Sequence, residues 1–227
     1  MRFLAIVPAR GGSKGIKDKN LKLVGKKSLL RRAIECVLPF MEVVVSTDSE
    51  VIKSEAIKCG AEVPFMRPRE ISNDSAKSID AAIHTLEKYE INSSNTFDYI
   101  FFIEPTSPFR NSENIADAIK KIKEHKYNSL VSVCELERKP ENIFLKGNYL
   151  SKYIKEPIES FNQRQSMKHL CRINSAIYVV KKDLMINQKN FLVNPIGYIE
   201  MSDIESVNID TMLDLKFANF IANEFSI

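Results

Sequence analysis

The chain has 227 residues, enough for one sizeable α/β domain with a small appendage. Hydrophobic residues make up 44% and charged residues 27%, and 33 basic against 29 acidic residues leave a net charge of only +4. That balance gives no global drive toward nucleic acid or a membrane surface, so charge must be read locally.

The first apolar run, FLAIVPA (3–9), reads as a strand covered on both faces. It is short and leads into charge, unlike a signal peptide. No stretch approaches the roughly 18 apolar residues of a membrane span. EVVVST (42–47), YIFFIEP (99–105) and SLVSVCE (129–135) read as strands in the same way. Helical patterns lie between them, at about 28–38, 49–59, 77–90 and 112–124. Ser49 starts the second of these and Gly60 stops it, while Asn111 or Ser112 starts the fourth. The rhythm breaks at 136–172, a polar segment with Pro140, Pro157 and the basic stretch FNQRQSMKHLCR. SAIYVV (175–180) and GYIEM (197–201) resume strand character. The stretch 210–225 reads as an amphipathic helix with Leu213, Phe217, Phe220 and Ile221 on its packing face. Alternation of strands and helices predicts an α/β fold: three layers around a mostly parallel, Rossmann-like sheet. Cys36, Cys59, Cys134 and Cys171 form no C-x-x-C pair, which argues for a reduced, cytoplasmic protein without a zinc site or disulfide framework.

In such sheets ligands bind beyond the carboxyl ends of the strands. ARGGSKG follows the first strand, STDS the second and EPTSPFR the third. Glycines let backbone N–H groups approach an anion, and arginine can bind two phosphate oxygens at once. ARGGSKG therefore reads as a polyphosphate cradle, although it matches neither the Walker A nor the dinucleotide fingerprint. A plain glycine turn with solvated lysines also suits it.

The run A-R-G-G-S-K-G-I-x-x-K-N (9–20) resembles the signature of the acylneuraminate cytidylyltransferases, the CMP-sialic acid synthetase family. VVSTDSEVI (44–52), MRPREISNDSAKS (66–78), EPTSPFR (104–110), RINSAIYV (172–179) and SVNIDTMLDL (206–215) resemble further segments of that family in the same order. The resemblance implies a single cytidylyltransferase domain over 1–227, of the nucleotide-diphospho-sugar transferase type. It implies condensation of CTP with a nine-carbon acidic sugar to give CMP-sugar and pyrophosphate, with Mg²⁺ as cofactor. It also implies a homodimer in which the inserted arm, 136–172, reaches the partner's site, although a mobile surface loop fits the composition equally.

Carried over residue by residue, the family pattern assigns Arg10, Gly12, Ser13, Lys14 and Lys19 to the triphosphate. Backbone near Ala9 and the Asn20 amide would read the base, and Arg67 and Ser78 would complete the base and ribose pocket. Asn20 capping a turn and Ser78 capping a helix are the plainer alternatives. Asp210 would hold the metal with help from Asn208, unless Asp210 is simply the N-cap of the last helix. Asp48 and Asp214 are adequately explained by a turn and a helix surface. The sugar would meet Glu104, Ser107, Arg110, Arg164, Asn174 and Tyr178.

Four positions depart from the family pattern: Glu104 for glutamine, Asn142 for a basic residue, Ser175 for glycine and Asn208 for aspartate. Glu104 would repel a sugar carboxylate unless it is protonated or aimed at hydroxyl or amine groups. That predicts a differently substituted nonulosonate, such as legionaminate or pseudaminate; pairing of Glu104 with Arg110 or Lys139 is the plainer alternative. Two rival readings are another sugar nucleotidyltransferase, such as a Kdo-type enzyme, and a weakened nucleotide-binding protein.

Overall fold

The structure is a computed structural model that describes residues 1–13, 15–73, 75–136, 143–146, 149–153 and 170–225. Its centre is a six-stranded sheet: β1 (Phe3–Pro8), β4 (Glu42–Ser46), β5 (Tyr99–Ile103), β6 (Ser129–Glu135), β9 (Cys171–Lys181) and β10 (Ile196–Glu200); the short strands β2 (Leu23–Val24) and β3 (Lys27–Ser28) pair with each other outside it. The spatial order is β10-β6-β9-β5-β1-β4. The pairs β1/β4, β1/β5 and β10/β6 are parallel, and β9 runs antiparallel between β5 and β6. The mostly parallel sheet expected from the apolar runs is thus present, with one reversed strand.

Period-two alternation along the strands divides the core between the two faces. Ala5, Val7, Val43, Val45, Phe101 and Ile103 pack on one side. There they meet α1 (Leu29–Glu35), α2 (Glu50–Lys58) and α4 (Ser112–His125) through residues such as Ala33, Ile52 and Ile115. Leu4, Ile6, Val44, Ile100 and Phe102 pack on the other. Their partners lie on α3 (Ser78–Ser93) and α5 (Lys182–Gln188), including Leu86 and Met185. The predicted starts at Ser49 and Asn111 are real caps: Ser49 accepts from Ile52, and Asn111 forms a capping box with Asn114.

A third cluster matters most for function. Ile16 from the glycine-rich loop, Phe109 from the EPTSPFR turn and Ile209 from the SVNID stretch pack together. Leu215, Ala218, Ile221 and Ala222 of α6 (Met212–Glu224) cover them. One apolar residue from each of three sequence-distant loops therefore fixes those loops against one another.

The packing face of α6 corrects the expectation. Leu213, Phe217 and Phe220 are 74%, 54% and 61% exposed, and of the expected face only Ile221 is buried. The helix meets the cluster through Leu215 and Ile221 together with the small Ala218 and Ala222.

Of the arm at 136–172, the described part is an antiparallel hairpin of β7 (Phe144–Lys146) and β8 (Leu150–Lys152). Its last two residues belong to β9, where Cys171 pairs with Glu135. Lys139, Pro140, Asn142, Pro157 and Arg164 lie outside the described residues, as does Lys14.

The strand β9 also explains one departure from the family pattern. Ser175 has φ 63, in the left-handed region that glycine adopts without a Cβ clash. Its hydroxyl lies 3.2 Å from the Tyr178 hydroxyl, a contact that partly offsets the strain. Ser175→Gly is expected to stabilise the fold by about 1 kcal/mol, read as a higher denaturant midpoint at unchanged slope.

Candidate active site

The strand order creates the site. From β1 the chain moves to β4 on one side and returns to β5 on the other, so the loops after β1 and β5 diverge at a topological switch point. A cavity of about 350 Å³ opens there. Pro8, Arg10, Ser13, Gly15, Lys19 and Asn20 line it from the first loop, and Glu104, Pro105 and Thr106 from the second. Arg67, Asn73, Lys77, Ser78 and Ala81 form the third wall, and Asp210 stands at the fourth.

The glycine-rich loop is held from both sides. The Gly11 N–H donates to Asp48 Oδ1 at 2.8 Å, which gives Asp48 its role. At Gly15 a Cβ would lie 2.6 Å from the Asp210 carbonyl oxygen, so only glycine permits this approach. At Gly12 a Cβ would meet nothing within 4 Å. Lys19 Nζ donates to the Ile209 carbonyl (3.0 Å) and to Asp210 Oδ1 (3.2 Å), joining the loop to the SVNID stretch. Asn20 is buried, and its Nδ2 donates to the Arg10 carbonyl at 3.1 Å, leaving its Oδ1 for an incoming donor. Ala9 lies behind the cavity, with its N–H bonded to the Ser46 carbonyl, so its carbonyl is what it could offer a base.

Arg67 is buried, and burial pushes its guanidinium pKa down. Its Nε donates to Ser46 Oγ at 3.0 Å and its Nη2 to the Ser46 carbonyl. Ser46 and Thr85 hydroxyls lie 2.8 Å apart, so strand β4 and helix α3 together orient the arginine. Ser78 is the first residue of α3 and not its cap; Lys77 holds the cap position without a side-chain hydrogen bond. The first turn of a 16-residue helix therefore borders the cavity uncapped, favourable to an anion or a ribose hydroxyl. Lys77 and Asn73 were not singled out from the sequence, although they sit inside the resembling segment 66–78.

Glu104 follows strand β5 directly and lines the cavity wall. The residue is partly buried, and desolvation pushes its carboxyl up to about 7 against the pull of Arg110, Lys19 and Arg67. Because the folded state holds the proton more tightly than the unfolded chain, stability falls as pH rises from about 4.5 to about 7. Glu104→Gln is expected to raise stability near pH 8, discounted for solvent access to on the order of 1–2 kcal/mol, and to change it little near pH 4. Denaturant midpoints at the two pH values check this.

Four expected sugar contacts stand outside the cavity. Arg110 is buried and turned inward: its Nη1 donates to the carbonyls of Glu104 (3.0 Å) and Ala176 (2.8 Å), and its Nε faces Cys36 Sγ. It holds the backbone of Glu104, not its carboxylate, which also corrects the expected Glu104–Arg110 pair. Asn174 is buried with its amide committed at both ends: Oδ1 accepts from Ser132 and the Ala176 N–H, and Nδ2 donates to Ser206 at 2.8 Å. It ties β9 to the SVNID stretch. Ser107 is buried, with no hydrogen-bond partner for its hydroxyl. Tyr178 packs against Phe191 on the α5 side of the sheet.

Asp210 is not the helix cap. Thr211 caps α6 in a capping box with Asp214, whose Oδ2 also accepts the Asp210 N–H at 3.0 Å. The Asp210 carboxylate is thereby left exposed to the cavity. Asn208 Nδ2 donates to Asp210 Oδ2 at 3.2 Å, and Asn208 Oδ1 is buried without a hydrogen-bond partner. Among the described residues no group of three or more His, Cys, Asp or Glu side chains converges on a metal position.

A cavity at the switch point of a mostly parallel sheet, walled by a glycine-rich cationic loop, suits a nucleotide polyphosphate. The chain belongs to the cytidylyltransferase family, whose model, described as Cytidylyltransferase, matches residues 4–212. It is 33% identical over 221 residues to the CMP-N,N'-diacetyllegionaminic acid synthase of Legionella pneumophila, covering 94% of this chain and 93% of that one. It is 30% identical over 223 residues to the N-acylneuraminate cytidylyltransferase of Escherichia coli, covering 96% of this chain but 51% of the relative. A solved CMP:2-keto-3-deoxy-manno-octonic acid synthetase complexed with CTP superposes with a TM-score of 0.71 over 99% of this chain and 100% of that one. At 16% identity that likeness concerns the fold.

Proposed function

We propose that this enzyme condenses CTP with a nonulosonate, a nine-carbon acidic sugar, to give the CMP-sugar and pyrophosphate. The observation that carries the reading is the convergence of Arg10, Ser13, Lys19, Asn20, Arg67 and Ser78 on one cavity. The sugar's anomeric hydroxyl attacks the α-phosphorus in line as the bond to the bridging oxygen breaks, and pyrophosphate leaves. Arg10 and Lys19 oppose the charge on the phosphates, with Lys14 assigned by the family pattern alone. Asn20 and Arg67 read and bracket the cytidine, and the open first turn of α3 with Ser78 faces the ribose.

Asp210 and Asn208 are the residues we assign to Mg²⁺. They offer one carboxylate and one amide carbonyl, both hard oxygens, and the unpartnered Asn208 Oδ1 is the observation that favours the fit. So small a protein set suits an ion whose other ligands are water and phosphate oxygens. When bound there, Mg²⁺ would neutralise phosphate charge and lower the pKa of the attacking hydroxyl. Lys19 would then exchange its Asp210 contact for phosphate.

Within the class we propose a diacylated sugar of the legionaminate type, supported by the match to the Legionella enzyme over nearly both full lengths. Initial rates of pyrophosphate release with CTP and legionaminic, pseudaminic and N-acetylneuraminic acids and Kdo rank the candidates. The highest kcat/KM is expected for the diacetylated legionaminate, and turnover restricted to Kdo contradicts the proposal.

We further propose a homodimer formed through the arm; the exposed Ile143, Leu145, Tyr149 and Tyr153 on the described hairpin support it. A cytoplasmic location is proposed on the four free cysteines. No described helix is long and apolar enough to cross a membrane.

A further inference from the structure

Glu104 presents a problem for an enzyme whose substrates are both anions. It lines the same cavity as the triphosphate-facing Arg10 and Lys19, yet it carries an acid where the family pattern has a neutral amide. Among the described residues no cation lies within salt-bridge distance of its carboxylate, and no donor hydrogen-bonds it. The charges that face it come from four elements. Arg110 lies behind it with its Nη1 on backbone carbonyls, and Lys19 is shared with Asp210. Arg67 is tied to Ser46, and Asp210 adds negative charge. No hydrogen bond or ion pair joins Glu104 to Asn208 or Asp210.

We infer that Glu104 works as a neutral carboxylic acid, and that binding of the acidic sugar takes up one proton from solvent at this residue. A protonated carboxyl has the shape of glutamine and keeps one hydrogen-bond donor, which an anionic substrate can accept. A carboxylate there would face the sugar's charge with no partner inside a partly desolvated cavity. Each bound anion adds negative potential and shifts the carboxyl further toward its neutral form. Its position in the free protein, about 7, places the change where a modest pH rise alters affinity. The inference rests on the nonulosonate reading above. It adds that sugar affinity is proton-linked, so that alkalinity weakens binding of the acidic substrate.

The test measures kcat/KM for N,N'-diacetyllegionaminic acid at saturating CTP between about pH 6 and about pH 9. It is paired with calorimetric titration of the sugar into protein holding α,β-methylene-CTP, in buffers of different ionisation enthalpy. For wild type, kcat/KM should fall toward tenfold per pH unit above about 7, and near pH 8 the titration should show uptake approaching one proton. Glu104→Gln should lose the pH dependence and show no uptake. The inference is overturned if wild type takes up no proton, if Glu104→Gln keeps the slope, or if that variant binds CTP normally but does not turn over. Should the variant fail to fold, the wild-type proton count alone decides. Absence of wild-type turnover with every nonulosonate would instead sink the functional reading.

Discussion

Gly15→Ala is expected to lower kcat/KM by about 100-fold or more, while Gly12→Ala, three residues earlier in the same loop, changes it by less than about threefold. The difference follows from what a Cβ would meet. At position 15 it would sit 2.6 Å from the Asp210 carbonyl, a backbone atom fixed by the Ile209 packing beneath it and by the Asp210 N–H bond to Asp214. Neither side can yield cheaply, so the loop must withdraw, moving Lys19 and Asn20 away from the positions they share with Arg67. A displacement of about 1 Å at a positioning contact is enough to cost two orders of magnitude in rate. At position 12 the added methyl enters open space. Steady-state kinetics on the pair, with thermal denaturation to show that both remain folded, checks the contrast. Equal losses would mean that the loop needs glycine for flexibility and not for this contact.

The second large effect is expected at Asp210. Asp210→Ala should reduce kcat by about 100- to 1000-fold and abolish the gain in CTP affinity that Mg²⁺ confers, read by calorimetric titration with and without the ion. The control lies four residues on. Asp214 accepts from the Thr211 and Asp210 N–H groups and from the Thr211 hydroxyl, and the Thr211 N–H bond does most to hold its carboxyl below the usual range. Asp214→Ala should therefore cost about 1 kcal/mol of stability through the lost cap and leave kcat within about fivefold. If Asp210→Ala retained both turnover and the Mg²⁺ effect, Asp210 would serve only as an anchor for Lys19.

Much of the scaffold was legible because continuous apolar runs such as 99–105 have few alternatives to a buried strand. The loops at strand ends were legible because glycine and cationic residues cluster there, and a resemblance spread over six segments ordered them. The sugar side was not. An arginine closing P-T-S-P-F-R reads as an anion binder in sequence, and nothing in its neighbours announces that Arg110 bonds two backbone carbonyls. Asn174 poses the same difficulty, because an amide that satisfies its own strand and one that waits for a ligand have the same chemistry. The α6 face differs from the expectation because bulky Phe217 and Phe220 outweigh Ala218 and Ala222 in any apolar stripe, whereas the buried face combines Leu215 and Ile221 with the two alanines. Ile16, Phe109 and Ile209 carried a readable signal, one apolar residue at the edge of each polar motif.

The central claim is that the cavity joins CTP to an acidic sugar, and phosphorus NMR of the wild-type reaction tests it most directly. With CTP, Mg²⁺ and N,N'-diacetyllegionaminic acid, the three nucleotide signals should give way to one phosphodiester resonance and free pyrophosphate in equal amounts. CTP that persists unchanged, or that yields CMP and pyrophosphate without the phosphodiester signal, would contradict it.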